Sequence, residues 1–364
     1  MRTQSRRIIL GIFILLIIVF IFYLENQKIA PEIAKKTVED VLLKAGKYPQ
    51  SPELTGINSY INIKEGTKIS DFRGKVVLID FWTYSCINCI RTLPHLIEWD
   101  KKYKDMGLVI IGVHTPEFIF EKDIKNVKKA MKKYGIDYIV VQDNNYATWS
   151  AFKNRFWPRK YLIDKDGFIR FDYIGEGSYD ETERKIQELL SETGMDVTDM
   201  GLSQLEDLTP KLERRTQELY AGYDYALKRG QNIGNLEGIQ PDQTINYTLP
   251  SKLNRDFIYL DGIWKSNSDN LQSQGASSIT LQFTASSANI VADSLNKPLE
   301  MEVMIDDNYL TAEQAGSDVE FKDGRSFILV DEPRLYNVFN GNYGDYKLTL
   351  KVKETFSFNA FTFG

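Results

Sequence analysis

The sequence predicts an α/β domain followed by an all-β, jelly-roll-like sandwich, both tethered behind one apolar N-terminal transmembrane helix. Three observations predict it. Residues 107–113 are a continuous apolar run, and residues 76–82 are one broken only by Asp80, both rich in Val and Ile, the texture of strands buried on both faces of a sheet, and each leads into a stretch of helical pattern. From Tyr247 onward the texture changes to short alternating runs with turn residues between them, as expected of a sandwich. Residues 8–24 are seventeen consecutive uncharged residues, nearly all large and apolar, at the short end for a membrane span.

The elements follow in order. Residues 1–25 form the expected anchor. Arg2, Arg6 and Arg7 precede the apolar run and should stay in the cytoplasm, which puts everything after it outside a cell membrane crossed once. The run is longer than a signal-peptide core and has no small-x-small site close by, so it is read as uncleaved. Residues 26–55 carry mixed charge and the Pro-bearing piece Tyr48-Pro49-Gln50-Ser51-Pro52 and read as a spacer. In the first domain, residues 56–192, strands are expected at 61–63, 75–81, 107–113 and 138–141. Helices are expected at 89–104 and 121–134. A hairpin at 161–163 and 168–173 turns on Lys165-Asp166-Gly167, and a closing helix spans 180–191. Residues 193–245 read as a helical connector, with helix around 212–227. In the sandwich, residues 246–364, strands are expected at 257–260, 278–283, 288–292, 299–305, 327–330, 346–352 and 356–363. Asp261-Gly262, Asp323-Gly324 and Asn340-Gly341 supply the turns.

The two cysteines of the chain, Cys86 and Cys89, follow the apolar run at 76–82. A strand that delivers a C-x-x-C pair to a helix start is a redox signature. At a helix N-terminus the first thiol ionises more easily, so Cys86 is expected to have a pKa below that of free cysteine. Cys89, one turn inside, can attack the mixed disulfide that Cys86 forms. Zinc needs four ligands, and His95 and His114 lack the usual spacing, so no metal is expected. A structural bridge over two residues would constrain the unfolded chain little. A net charge of −5 with no basic stripe argues against nucleic acid.

Around the cysteines the chain resembles a known family. Trp82 and Asp80 lie four and six residues before Cys86, Pro94 lies five after Cys89, and Phe156-Trp157-Pro158-Arg159 leads into the run at 161–163. With His114-Thr115-Pro116-Glu117-Phe118, these phrases resemble extracytoplasmic thioredoxin-like proteins of the TlpA/ResA type. The resemblance is nearest to the thioredoxin and C-terminal parts of DipZ-like proteins, whose C-terminal phrases Asn246-Tyr247-Thr248-Leu249-Pro250 and Arg334-Leu335-Tyr336-Asn337 also fit. It implies a thiol–disulfide oxidoreductase in which Cys86 is nucleophile and Cys89 resolving thiol. Asp80, buried beside the pair, would take the proton of Cys89. Pro158 would be cis and aim the backbone of Trp157 at a substrate disulfide. Trp82 and Tyr84 would pack under and beside the pair, with binding as a secondary role, and Glu117 would be a second acid.

No cofactor is expected beyond the redox-active disulfide Cys86–Cys89. Ile87-Asn88 brings no charge between the cysteines, so the expected potential is reducing or intermediate, on the order of −220 to −280 mV. The partners so implied are protein disulfides, such as that of an apocytochrome c, and a separate membrane electron donor of the DsbD/CcdA type. Tyr259, Trp264, Tyr336 and Tyr343 would either pack in the sandwich core or line a glycan or cell-wall ligand. Two further readings stand beside this one. Thr83, three residues before Cys86, is where peroxiredoxins carry a Thr, which would suit a thiol peroxidase. A surface module holding a glycan or protein partner is the other.

Overall fold

The computed structural model describes residues 39–197, 199–210 and 214–364, together with Leu15 and Val19. The expected anchor at 8–24 therefore lies outside the described residues except for those two. Among the described residues no helix is long and apolar enough to cross a membrane.

The N-terminal domain is a six-stranded sheet in the order β1-β4-β3-β2-β5-β6. Its strands are β1 (Ser59–Ile61), β2 (Val76–Trp82), β3 (Leu108–His114), β4 (Ile139–Gln142), β5 (Arg159–Ile163) and β6 (Ile169–Ile174). β2, β3 and β4 run parallel, while β5 lies antiparallel to β2. All seven residues of β2 are buried, because helices cover both faces of a sheet of this kind. Its helices are α1 (Ile87–Tyr103), α2 (Ile124–Tyr134), α3 (Ala147–Ala151) and α4 (Tyr179–Glu192). Leu93, Leu96 and Trp99 of α1 share one core with Leu78, Ile110 and, from α4, Ile186 and Leu189. Helix α2 stops where Gly135 turns left-handed at φ 71°, a conformation that costs glycine little. The Asp164 carboxylate accepts from the backbone of Asp166 and Phe168 and so shapes the β5–β6 turn.

The expected spacer is in part structural. Gln50 bridges to Phe168, the Ile169 amide donates to Pro49, and the Glu53 carboxylate accepts from the amides of Ile69 and Ser70. The domain thus begins before residue 56.

The C-terminal domain is one ten-stranded hydrogen-bonded sheet. Its strands are β7 (Leu219–Tyr220), β8 (Thr244–Tyr247), β9 (Ile258–Ser266), β10 (Leu271–Asp293), β11 (Leu299–Ile305), β12 (Asn308–Tyr309), β13 (Val319–Lys322), β14 (Arg325–Val330), β15 (Arg334–Val352) and β16 (Ser357–Phe363). Two long strands replace the short ones expected. β10 pairs with β15 along nearly its whole length; on its other edge its first part meets β9 and its last part β16. The polar residues Ser286 and Ser287, which break the apolar pattern, donate their amides to Gly364 instead of ending the strand. Asp323-Gly324 does turn between β13 and β14, with φ of 51° and 73°. The other two turn expectations fail. Gly262 sits inside β9, opposite an irregularity in β10, and Gly341 lies within β15.

The expected helical connector is also corrected. Residues 219–220 and 244–247 are strands of the C-terminal sheet, and among its described residues only Tyr223–Ala226 (α5) is α-helical. Leu219, Tyr220 and Ala221 are buried in the C-terminal core, so apolar residues that read as a helix face form an edge strand. That core also takes in Phe118 from the loop after β3, with Ile87 and Ile90 of α1 packed against it. The Asp269 carboxylate accepts from the amide of Ile119 and from Asn359. The two domains therefore meet at the end of the first sheet that carries the cysteines.

Candidate active site

Strand β2 ends at Trp82, and residues 83–86 turn the chain into α1. Cys86 is the N-cap: its sulfur accepts from the amide of Cys89 at 3.4 Å. Cys86 is half-buried and Cys89 is 1% exposed; both are free thiols. That asymmetry fits an attacking and a resolving thiol.

The expected acidity of Cys86 is reversed. Interaction with Cys89 favours the thiolate, yet burial and the carboxylates of Glu117 and Glu218 outweigh it and push the thiol above its usual value. A helix end favours an anion by a modest amount, which neighbouring negative charges in a partly dry site can exceed. Burial likewise drives the Cys89 thiol well upward, with Cys86 and Asp80 adding to it.

Asp80 is 1% exposed, and burial raises its carboxyl to about 7 against the opposing pull of Lys160. A carboxyl at that value can exchange protons near neutrality. Lys160, on β5, is fully buried and donates to the Gly175 carbonyl at 3.0 Å. Nothing in the sequence marked it, because it sits in the alternating strand after Pro158 where an outward lysine is the usual reading.

The Trp157–Pro158 peptide bond is cis. The Trp157 indole donates to the Thr115 carbonyl at 3.0 Å and packs on Trp149 with ring centroids 4.3 Å apart. The Trp82 and Tyr84 side chains, expected to have some binding role, are buried: Trp82 is 0% and Tyr84 3% exposed. Both pack on His114 and present no ring to an incoming protein. His114, also fully buried, is held neutral because burial lowers it to about 3. Thr83 is buried with its hydroxyl 3.4 Å from that ring.

Glu117 is 7% exposed and belongs to a cluster that spans both domains. The Tyr220 hydroxyl lies 2.6 Å from the Glu117 carboxylate and 2.9 Å from that of Glu218. Burial, then the neighbouring Glu218, pushes Glu117 well above the usual carboxylate range; burial brings Glu218 to about 7. Glu121 completes the frame. Its fully buried carboxylate accepts from the Ser85 hydroxyl at 2.5 Å and from the amides of Glu117 and Phe118 at 2.5 and 2.9 Å. It ties the Glu117 loop to the residue before Cys86. In sequence it reads as the first residue of a lysine-rich helix. Of the four rings considered for a glycan, Tyr259, Trp264 and Tyr336 are buried at 2%, 0% and 0%, so they form no exposed stacking face.

Residues 57–190 match the family model described as Redoxin, and residues 216–364 match the one described as Thioredoxin like C-terminal domain. Protein DipZ of Mycobacterium bovis is 40% identical over 232 residues, which are 63% of this chain and 32% of DipZ; the chain spans about a third of that relative. Thiol-disulfide oxidoreductase YkuV of Bacillus subtilis is 31% identical over 142 residues, 39% of this chain and 95% of YkuV. Thiol-disulfide oxidoreductase ResA of Bacillus thuringiensis is 31% identical over 134 residues, 36% of this chain and 75% of ResA. A buried carboxyl behind a helix-capping cysteine pair, together with relatives matched along most of their length, places this chain in the thioredoxin-like family of thiol–disulfide oxidoreductases.

Proposed function

We propose that this enzyme is a membrane-anchored reductant of protein disulfides outside the cytoplasm, re-reduced by a membrane donor of the DsbD/CcdA type. The observation that carries the direction is the set of carboxylates around Cys86, which with burial raises its thiol. An enzyme that stabilises its nucleophilic thiolate stabilises its reduced form and becomes an oxidant. Here negative charge disfavours that thiolate, so the dithiol gives up its electrons more readily. Cys86 opens the substrate disulfide, Cys89 loses its proton to Asp80 and resolves the mixed disulfide, and the Cys86–Cys89 disulfide remains. The anchoring rests on the apolar run at 8–24 behind three arginines. The need for an outside dithiol donor rests on the chemistry, since each turnover leaves the pair oxidised.

Equilibration of the full chain against a glutathione or dithiothreitol couple tests the direction. The expected potential lies below about −200 mV, on the reducing side of the known range. A value near that of strong oxidants, about −120 mV, would overturn the reading. External protease on cells with an opened outer barrier should digest the domains after the anchor; their protection would reverse the topology.

A further inference from the structure

The C-terminal domain has no cysteine, yet it reaches into the redox site. Strand β7 pairs with β16 at Ala360 and Phe361 and carries Tyr220 to Glu117, 103 residues earlier in the chain. The Tyr220 amide donates to the Gln231 side chain, which in turn donates to the Glu218 carbonyl. The ring stacks on Tyr225 at 5.3 Å, and the Arg229 guanidinium lies 4.5 Å from its centroid. Tyr220 is thus fixed from several sides rather than resting on the interface.

Proton counting gives the bridge its meaning. A phenol has one proton to donate. Its oxygen stands within hydrogen-bond distance of two carboxyl groups, at 2.6 and 2.9 Å. Only one contact can use the phenol proton; the other needs a proton on the carboxyl. Two bare carboxylates there would leave an uncompensated contact between oxygens in a largely buried place, which is costly.

We propose that the C-terminal domain completes the redox site: Tyr220 and Glu218 hold Glu117 in a shared-proton bridge that relays the Cys86 proton to the departing substrate thiolate. Tyr220 and Glu218 are positioning residues that act through Glu117. The step is balanced. The Cys86 proton passes to the bridge; its sulfur bonds to one substrate sulfur as the substrate S–S bond breaks. The electron pair leaves on the other substrate sulfur, which takes a proton from the bridge. The bridge ends as it began. Cys89 then attacks Cys86 and an external dithiol restores the pair. Around the bridge stand Glu121 of the first domain, whose carboxylate accepts from the Glu117 amide and from the Ser85 hydroxyl next to Cys86, and Arg229 and Tyr225 of the second, with Tyr146 beyond Tyr225; the charges of Glu117 and Glu218 act on the Cys86 thiol. A pocket of about 230 Å³, lined by Glu117, Tyr146, Tyr225 and Asp269 among others, lies beside it.

This inference deepens the oxidoreductase reading and is tested without a substrate or a donor. In the full chain in detergent, with Cys89→Ser to isolate one thiol, iodoacetamide alkylation of Cys86 is followed from pH 5 to 10. The parent should show two inflections, one from the bridge and one from the thiol. Glu218→Gln should remove the lower one and speed alkylation at pH 7 roughly three- to tenfold, the effect of one nearby charge in a partly buried site. Tyr220→Phe should also alter the profile. Glu218 is half-buried, less so than Tyr220, and its glutamine is isosteric, so this variant keeps the test informative if Tyr220→Phe folds poorly. Profiles of a folded Glu218→Gln protein that superimpose on the parent's would overturn the bridge. An oxidising potential would sink the reductant reading and leave this result standing.

Discussion

Replacing Asp80 by Asn should make the enzyme more stable in alkali and slower at neutral pH, and the size follows from burial. The Asp80 carboxyl moves from an ordinary 3.8 to about 7 on folding, first because burial strips its hydration. A group whose folded value is raised holds its proton in the native state. The stability tied to that proton is fully present below pH 4 and is lost as the pH climbs to about 7. At about 1.4 kcal/mol per pH unit, the loss in alkali is a little over 4 kcal/mol. Asn removes that cost, but it also takes from the buried Lys160 its strongest countercharge and leaves the weaker Glu176, so a net gain of about 1–3 kcal/mol is expected. For a domain of this size that is several degrees in Tm. The assay is thermal unfolding of the reduced protein at pH 5 and pH 8.5. The variant should gain over the parent at pH 8.5 and gain little or nothing at pH 5. Mixed disulfides should meanwhile resolve slowly near pH 7 and recover as the pH rises, because hydroxide then ionises Cys89 unaided. An equal stability change at both pH values would refute the burial argument, and unchanged resolution kinetics would leave Asp80 structural.

Two further outcomes follow from packing. Alkylation at pH 7 should label Cys86 before Cys89, since one is half-buried and the other 1% exposed, and should be slower than for free cysteine because the Cys86 thiol is raised; peptide mass spectrometry locates the label, and faster-than-free reaction would contradict the carboxylate environment. Gly222→Ala should cost about 1–3 kcal/mol, because an added Cβ would meet the backbone of Asp269 at 2.3 Å beside the interdomain contact to Ile119; an unchanged Tm would show that this seam yields.

The cysteine pair and its strand–turn–helix setting were legible because that chemistry is local. Trp82, Cys86 and Cys89 sit within eight residues, and an apolar β-branched run has few other uses. The C-terminal strands at 299–305 were legible for the same reason: Leu299, Met301, Val303 and Ile305 alternate inward along β11. What escaped was set by distant partners. Ser286 and Ser287 look like a loop until the chain end at Gly364 accepts their amides. Leu219 and Tyr220 look helical until β16 offers an edge. Glu121 and Lys160 are ordinary charges until the fold encloses them. The acidity of Cys86 was misjudged on the same account, since the helix end is visible in sequence and the carboxylate of Glu218 at its side is not.

That misjudgement points to how the molecule is put together. Helix α1 alone would favour the Cys86 thiolate through its N-terminus. Docking of the C-terminal domain packs its core against Ile87 and Ile90 and brings the charge of Glu218 toward the Cys86 sulfur, on which burial also acts. Both effects oppose ionisation. Docking and thiol ionisation are therefore linked, and linkage is reciprocal: what disfavours the thiolate when the domains close must favour their opening when the thiolate forms. The mixed disulfide carries no charge on Cys86, so that opposition is absent while the buried Cys89 completes the exchange.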